Sequence, residues 1–246
     1  MNSRIEKLKA GLQVDQYPMC TEKARLMTES FRKTEGQPEI LRRAKALHHT
    51  LENITIFIRD GELIVGNAAS TYMGVEMEFN YGPWPKEEID ALKNEGWLLD
   101  DKNLREVEIM NEYWKGKSLM ARIGYSFDDE RLWPFMQTGI VLAAWKSKEE
   151  GSGGGYAESG MGLGPGLYNH VADYEQVLKK GLRGIVREAE DELKKLRFLG
   201  PGTVDKGHFL NAVIISLDGI IQFSQRFSTL ALQLAWNEKR PGAQTG

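Results

Sequence analysis

The sequence predicts a mainly α-helical fold with one short β-hairpin. Three observations lead there. Apolar residues recur at three- and four-residue spacing in several separate stretches. A single alternating stretch turns on Asp60-Gly61. A long apolar run near the end of the chain has helical periodicity and little strand punctuation.

In chain order, Ile5, Leu8 and Leu12 have the spacing of a first short helix, ended by Pro18. Thr21 is a candidate N-cap for a second, with Leu26, Met27, Ser30 and Phe31 along one side. After Gly36 and Pro38, the residues Ile40, Leu41, Ala44, Leu47 and Leu51 form the stripe of a third. Arg42, Arg43 and Lys45 lie largely off that stripe and read as a solvated face. Ile54, Ile56 and Ile58 then alternate with Thr55, Phe57 and Arg59. Asp60-Gly61 supplies a two-residue turn, because glycine takes positive φ without steric cost, and Leu63 and Val65 continue the alternation. Residues 53–66 therefore read as the hairpin, and 75–79 as one more short strand.

Pro85 opens a helix over Lys86–Asn94. Leu104, Val107, Met110 or Asn111, and Trp114 mark the next. Residues 132–145 read as an apolar helix with Pro134 in its first turn. Residues 173–180 form a short helix stopped by Gly181, followed by a charged amphipathic helix over 182–198. Gly200-Pro201-Gly202 breaks it. One long helix is expected from 204 to 238, with Phe209, Val213, Ile214, Leu217, Ile221, Phe227, Leu230 and Leu234 as its buried side. The polar tail 239–246 has no element left to cover that stripe, so the chain is expected to be a piece of something larger.

Composition narrows the function classes. The 246 residues fit one or two domains. Hydrophobic residues at 41% and charged residues at 27% match soluble globular chains, which excludes a disordered, collagen-like or multi-span membrane protein. A net charge of −3 advertises no nucleic-acid partner. The single cysteine, Cys20, excludes an intrachain disulfide framework and a Cys-rich metal site, and suits a reducing cytoplasm. The N-terminus has no apolar secretory core. The most apolar window, 209–221, is shorter than the roughly 20 residues a bilayer needs and is interrupted by Asn211, Ser216, Asp218 and Gly219. No membrane partner is expected.

Few residues have the pattern of a reactive site. His48 and His49 are adjacent on a helix and point about 100° apart, whereas a shared metal wants i,i+4 spacing; no metal site is expected. Cys20 precedes a helix start, where peptide dipoles can lower a thiol pKa, but no histidine stands near it in sequence, and it reads as a small buried hydrophobe. Eight of the 26 glycines fall in residues 151–166. That tract lacks the phosphate-loop pattern and the strand that a dinucleotide fingerprint requires, so it reads as a loop, either free or lying tight on a ligand or another segment. Directly after it, Asn169, His170 and Asp173 cluster between Tyr168 and Tyr174. A glycine-rich approach, a polar cluster and a helix are how many pockets place side chains; the same residues can also simply cap the helix. Tyr72, Tyr81, Trp84, Trp133 and Trp145 would suit a pocket for a flat substrate, and equally a core.

Several stretches together resemble glycyl-radical enzymes of the pyruvate formate-lyase type. These are Glu-Lys-Ala-Arg-Leu-Met-Thr-Glu-Ser at 22–30, Arg-Arg-Ala-Lys-Ala-Leu at 42–47, Asp-Gly-Glu-Leu-Ile-Val-Gly-Asn at 60–67, His-Val-Ala-Asp-Tyr-Glu at 170–175 with the helix and glycines that follow, and the long apolar run at 208–234. The resemblance implies that residues 1–238 are the N-terminal, mostly helical part of a ten-stranded β/α-barrel enzyme, with 239–246 an unstructured tail. It implies a backbone glycyl radical, installed by an activating enzyme that uses S-adenosylmethionine and an iron–sulfur cluster. Spin passes to a mid-chain cysteine, and its thiyl radical abstracts hydrogen from a small-molecule substrate before a bond breaks. The arginine-valine-x-glycine-tyrosine-like radical motif is absent, and Cys20 lies too early to be the thiyl cysteine. No catalytic residue is therefore expected in this portion, and the missing C-terminal barrel becomes a required partner, with a homodimer also open. Asn169, His170 and Asp173 are the expected substrate-binding positions. The absence of arginine there argues against a bidentate carboxylate clamp. The expected activity is a lyase of the arylacetate decarboxylase or dehydratase type. Alternatives are a formate C-acetyltransferase-like enzyme or a C–S or C–N lyase of the same family, and, outside it, a non-catalytic helical binding module.

Overall fold

The computed structural model describes residues 3–12, 16–79, 83–118, 173–197 and 200–238. Among them are α1 (Ser3–Ala10), β1 (Tyr17–Cys20), α2 (Glu22–Lys33), α3 (Glu39–Asn53), β2 (Val75–Glu76), α4 (Lys86–Asn94), β3 (Trp97–Leu98), α5 (Asp101–Trp114), α6 (Tyr174–Lys180), α7 (Leu182–Lys195) and α8 (Pro201–Glu238). The fold is mainly helical, as expected. The helix expected over 132–145 lies outside the described residues. Two compact units are present: residues 1–15, 25–75 and 173–246 in one, 16–24 and 76–172 in the other.

The first unit is built on α3 against α8, with α7 also packed on α8. α8 starts at Pro201, a turn earlier than its apolar pattern indicates, because the fixed φ of proline suits a first helical turn. Its buried residues are Gly207, Leu210, Ala212, Gly219 and Phe227; of the large-residue stripe expected, Phe227 is buried, while Phe209 is 54% exposed. α3 likewise buries Ala44, Ala46 and Thr50 and leaves Ile40 and Leu47 exposed. The reason is close approach. A Cβ on Gly219 would lie 2.9 Å from the Cα of His48. Gly219 lets the backbones of α8 and α3 approach closely at this point.

The C-terminus of α3 is closed from a distance. The Ile54 N–H donates to the Thr50 carbonyl. The Arg226 guanidinium, from α8, donates to the carbonyls of Leu51 at 2.6 Å and Ile54 at 2.5 Å. Two of the carbonyls that a helix end leaves without intrahelical partners are thereby satisfied. Arg42 corrects another expectation. It is half-buried, donates to the Phe31 carbonyl at 3.0 Å and sits 4.7 Å over the Phe31 ring, whereas Arg43 is exposed and paired with Glu39.

The expected hairpin does not form a ladder. The chain does reverse at Asp60-Gly61: Gly61 has φ +86°, and the Glu62 N–H donates to the Arg59 carbonyl at 3.2 Å. The two sides also meet at the base, where the Asn67 side-chain amide donates to the Thr55 carbonyl at 2.8 Å and the Ala69 carbonyl at 2.7 Å. Between these points neither side is a strand. Leu63 is 77% and Ile64 93% exposed. A two-stranded ribbon is marginal without a third strand or a packed face, and here side-chain clamps take its place.

The second unit carries the sheet, in the order β2-β1-β3, with β1 and β3 parallel in the register Tyr17–Trp97 and Pro18–Leu98. The Met77 N–H donates to the Cys20 carbonyl at 3.1 Å. Of the strand expected at 75–79, only Val75–Glu76 is strand, as β2. β1 and β3, at four and two residues, are too short to show a period in sequence. Met19, Cys20, Ala24, Met77, Phe79, Ile89, Leu99, Val107, Met110 and Trp114 are its buried apolar residues among those described. α5 buries Val107, Met110 and Trp114 and leaves Leu104 half-buried, and Asn111 does something else: it accepts from the Trp84 N–H at 2.8 Å and donates to the Trp84 carbonyl at 2.7 Å. The Asp100 carboxylate caps α5 by accepting from the Asn103 N–H at 2.7 Å.

Candidate functional site

The segment singled out by sequence is described only from Asp173 onward; Asn169, His170 and the glycine tract 151–166 lie outside the described residues. Asp173 is the N-cap of α6, and its carboxylate accepts the Gln176 N–H at 2.9 Å. That is the capping role, with one oxygen committed to the helix. α6 itself has no buried residue, and Gly181, at φ +68°, turns the chain into α7. The left-handed φ at this junction explains why a glycine separates two helices without an intervening loop. The arrangement puts the Asn169–His170 pair three to four residues ahead of a capped helix start. Of these side chains, the imidazole is the one able to exchange a proton near neutral pH.

The other candidates have local partners. Tyr72 lies under the Arg59 guanidinium, 3.7 Å from its ring centroid, and Arg59 is paired with Glu62 at 2.7 Å. The Trp84 indole N–H donates to the Glu78 carbonyl at 3.0 Å. Both aromatics are tied into local structure. Tyr81, Trp133 and Trp145 lie outside the described residues. Cys20 is buried on β1, consistent with a packing role. The two adjacent histidines diverge: the His48 ring packs near Gly219, and His49 Nε2 lies 3.3 Å from Glu29. Among the described residues, no group of three or more His, Cys, Asp or Glu is placed to hold a metal ion, and no helix is long and apolar enough to cross a membrane.

Charged clusters form the remaining polar features. Burial pulls the Lys23 ammonium down, but Glu76 and Glu78 outweigh it and hold it above its ordinary value. Burial raises the Glu29 carboxyl, and Arg25 with His49 more than reverses that, leaving it low. In the second unit, the buried Thr21 hydroxyl donates to the Glu106 carboxylate at 2.7 Å and lies 3.0 Å from the Asn103 amide oxygen. Thr21 thus precedes α2, as expected of an N-cap, while its hydroxyl ties β1 to α5. Arg226 is a structural residue that sequence reading missed; the available signal was one arginine set inside an apolar helical run.

Comparison with known proteins gives a consistent result. A family model described as pyruvate formate lyase-like matches residues 1–245. An isethionate sulfite-lyase from Oleidesulfovibrio alaskensis is 30% identical over 226 residues, 89% of this chain and 26% of that protein. A trans-4-hydroxy-L-proline dehydratase from Clostridioides difficile is 28% identical over 224 residues, 88% of this chain and 26% of that protein. Among solved structures, the B12-independent glycerol dehydratase of Clostridium butyricum superposes with a TM-score of 0.76 at 30% identity, covering 99% of this chain and 29% of that one. A glycyl radical enzyme from Archaeoglobus fulgidus gives a TM-score of 0.71 at 30% identity, covering 97% and 29%. The chain therefore spans between a quarter and a third of the length of these relatives.

Proposed function

Because the chain belongs to the pyruvate formate-lyase-like family, we propose that it is the N-terminal, substrate-lining part of a glycyl-radical lyase of the dehydratase type. The observation that carries the reading is the family match along residues 1–245, together with relatives named as dehydratases. His170, with Asn169 beside it, contacts the substrate and moves or holds a proton at the hydroxyl that leaves. Asp173 is the third proposed position, with one carboxylate oxygen accepting the Gln176 N–H. The missing C-terminal barrel covers the apolar flanks of α8, where Phe209, Leu232 and Trp236 stand in solvent.

The radical itself would supply hydrogen-atom abstraction. The residues present do not fit it: the one cysteine is buried on β1, and the chain has no radical-glycine motif. An activating enzyme acting on the barrel portion is the implied partner. The arylacetate decarboxylase reading rests on the aromatic residues alone, and Tyr72 and Trp84 are held by local contacts.

A chimera tests the proposal. Residues 1–238 replace the matching part of the Clostridium butyricum glycerol dehydratase, which is then activated anaerobically. The expected result is a glycyl-radical signal by electron paramagnetic resonance and glycerol turnover. His170→Ala should keep the radical and lose about 100-fold or more in turnover, the scale of a missing proton-transfer group. Full turnover in both His170→Ala and Asn169→Ala would overturn the assignment.

A further inference from the structure

We propose that α1 is a detachable strap, held over the 59–62 turn by an ionic latch. α1 has eight residues, none of them buried. Helices this short are marginal on their own in water, where roughly 12–15 residues are needed. The helicity of α1 must therefore come from what it touches.

What it touches is narrow. Arg4 donates to the Gly61 carbonyl at 2.9 Å, and Lys7 pairs with the Asp60 carboxylate. A Cβ on Gly61 would lie 3.1 Å from Arg4 Cγ and 3.9 Å from a Leu8 methyl. Gly61 thus serves twice: it turns the chain at positive φ, and it lets the strap lie close. Just beyond α1, a Cβ on Gly11 would stand 3.2 Å from the Tyr72 hydroxyl. Ile5 and Leu12 are exposed, so they do not seal the contact with apolar burial.

The charges explain why the latch is where it is. The turn contains Arg59, Asp60 and Glu62. Glu62 is taken up by Arg59, accepting from its backbone N–H at 3.0 Å and from its guanidinium at 2.7 Å. Arg59 also stacks on Tyr72. Asp60 is left as the carboxylate for α1, and Lys7 holds its carboxyl below the ordinary value. Arg4 and Lys7 are one helical turn apart and share the face that meets the turn. Both partners of the Lys7–Asp60 pair are mostly exposed, so salt screens the attraction. Docking and folding of α1 are then one event, and release uncovers the turn and the Tyr72 hydroxyl edge that faces Gly11.

Hydrogen–deuterium exchange on the 246-residue chain tests this. The reporters are the amides of residues 7–12, with the α3 amides as a control for global unfolding. Salt is raised from about 0.01 M to about 1 M, over which the screening length falls from ~30 Å to ~3 Å. The expected result is protection of 7–12 at low salt, lost at high salt, with α3 unchanged. Asp60→Asn should speed exchange of 7–12 by about two- to fivefold at low salt and remove most of the salt response, the scale of an exposed ion pair. Lys7→Asp combined with Asp60→Lys should restore both. Protection that does not change with salt, that survives Asp60→Asn, or that is missing from the unaltered chain at low salt overturns the proposal.

Discussion

The α3–α8 seam and the 54–74 segment lie in one unit and are held by opposite means. The seam is close backbone contact, with Gly219 set against the backbone of His48. The 54–74 segment has close contacts at Ile54, Ala69 and Gly74, but the stretch between them is held differently. Arg226, Arg59 with Glu62, and Asn67 tie it down through directed polar contacts, while Leu63 and Ile64 remain in solvent. The difference teaches where each kind of substitution hurts. Added volume is punished at the seam, because the backbone of the neighbouring helix cannot yield as a side-chain tip can. In the segment, the loss of a donor matters more than a change of volume.

The largest expected effect follows at the seam. Gly219→Val should cost about 3 kcal/mol, near the top of the overpacking range, read as a fall in the urea midpoint. Gly219→Ala should cost less, since the gain in helix propensity of about 1 kcal/mol offsets part of the clash. A stabilised Gly219→Ala protein would show that the two helices are further apart than described. Next comes Arg226→Met, which keeps the apolar stem and removes both donors. The Leu51 and Ile54 carbonyls lose charged hydrogen bonds, for about 2 kcal/mol, and amide exchange should rise in the last turn of α3 and at Ile54 before its earlier turns.

The smallest effect is a pH dependence. Burial raises the Glu62 carboxyl, but the Arg59 backbone N–H and guanidinium outweigh it and leave it below its ordinary value. A carboxyl held low in the folded state stabilises fully above its unfolded pKa. That contribution drains away as pH falls through the depressed folded value. The pair is partly exposed, so the term should stay under about 1 kcal/mol. Acid titration of stability should show a shallower decline in Glu62→Gln than in the parent; identical curves would remove the pair from the account.

How much of this was legible in the sequence follows the same divide. The α4 bounds, and Val107, Met110 and Trp114 on α5, could be read directly, because helical periodicity is local and repeats several times within one element. The choice of buried side on α8 could not. Phe209 and Leu234 have the right spacing, but Gly219 decides where another helix can approach, and that depends on His48, about 170 residues away in sequence. The alternation around Asp60-Gly61 is genuine, yet alternation makes strands only where a neighbour pairs with them. Of the candidate site, Asp173 could be read as a cap from its position before Tyr174. His170 and Asn169 rest on the family pattern and their place after the glycine tract.

The central claim is that these helices form one side of a larger enzyme, with the apolar flanks of α8 made to be covered. The most direct measurement is binding of an environment-sensitive apolar dye to the 246-residue chain, followed with its sedimentation behaviour. The account predicts strong dye fluorescence and concentration-dependent association, both reduced when Phe209, Leu232 and Trp236 are replaced together by glutamine. A dye-silent, monodisperse monomer would contradict it.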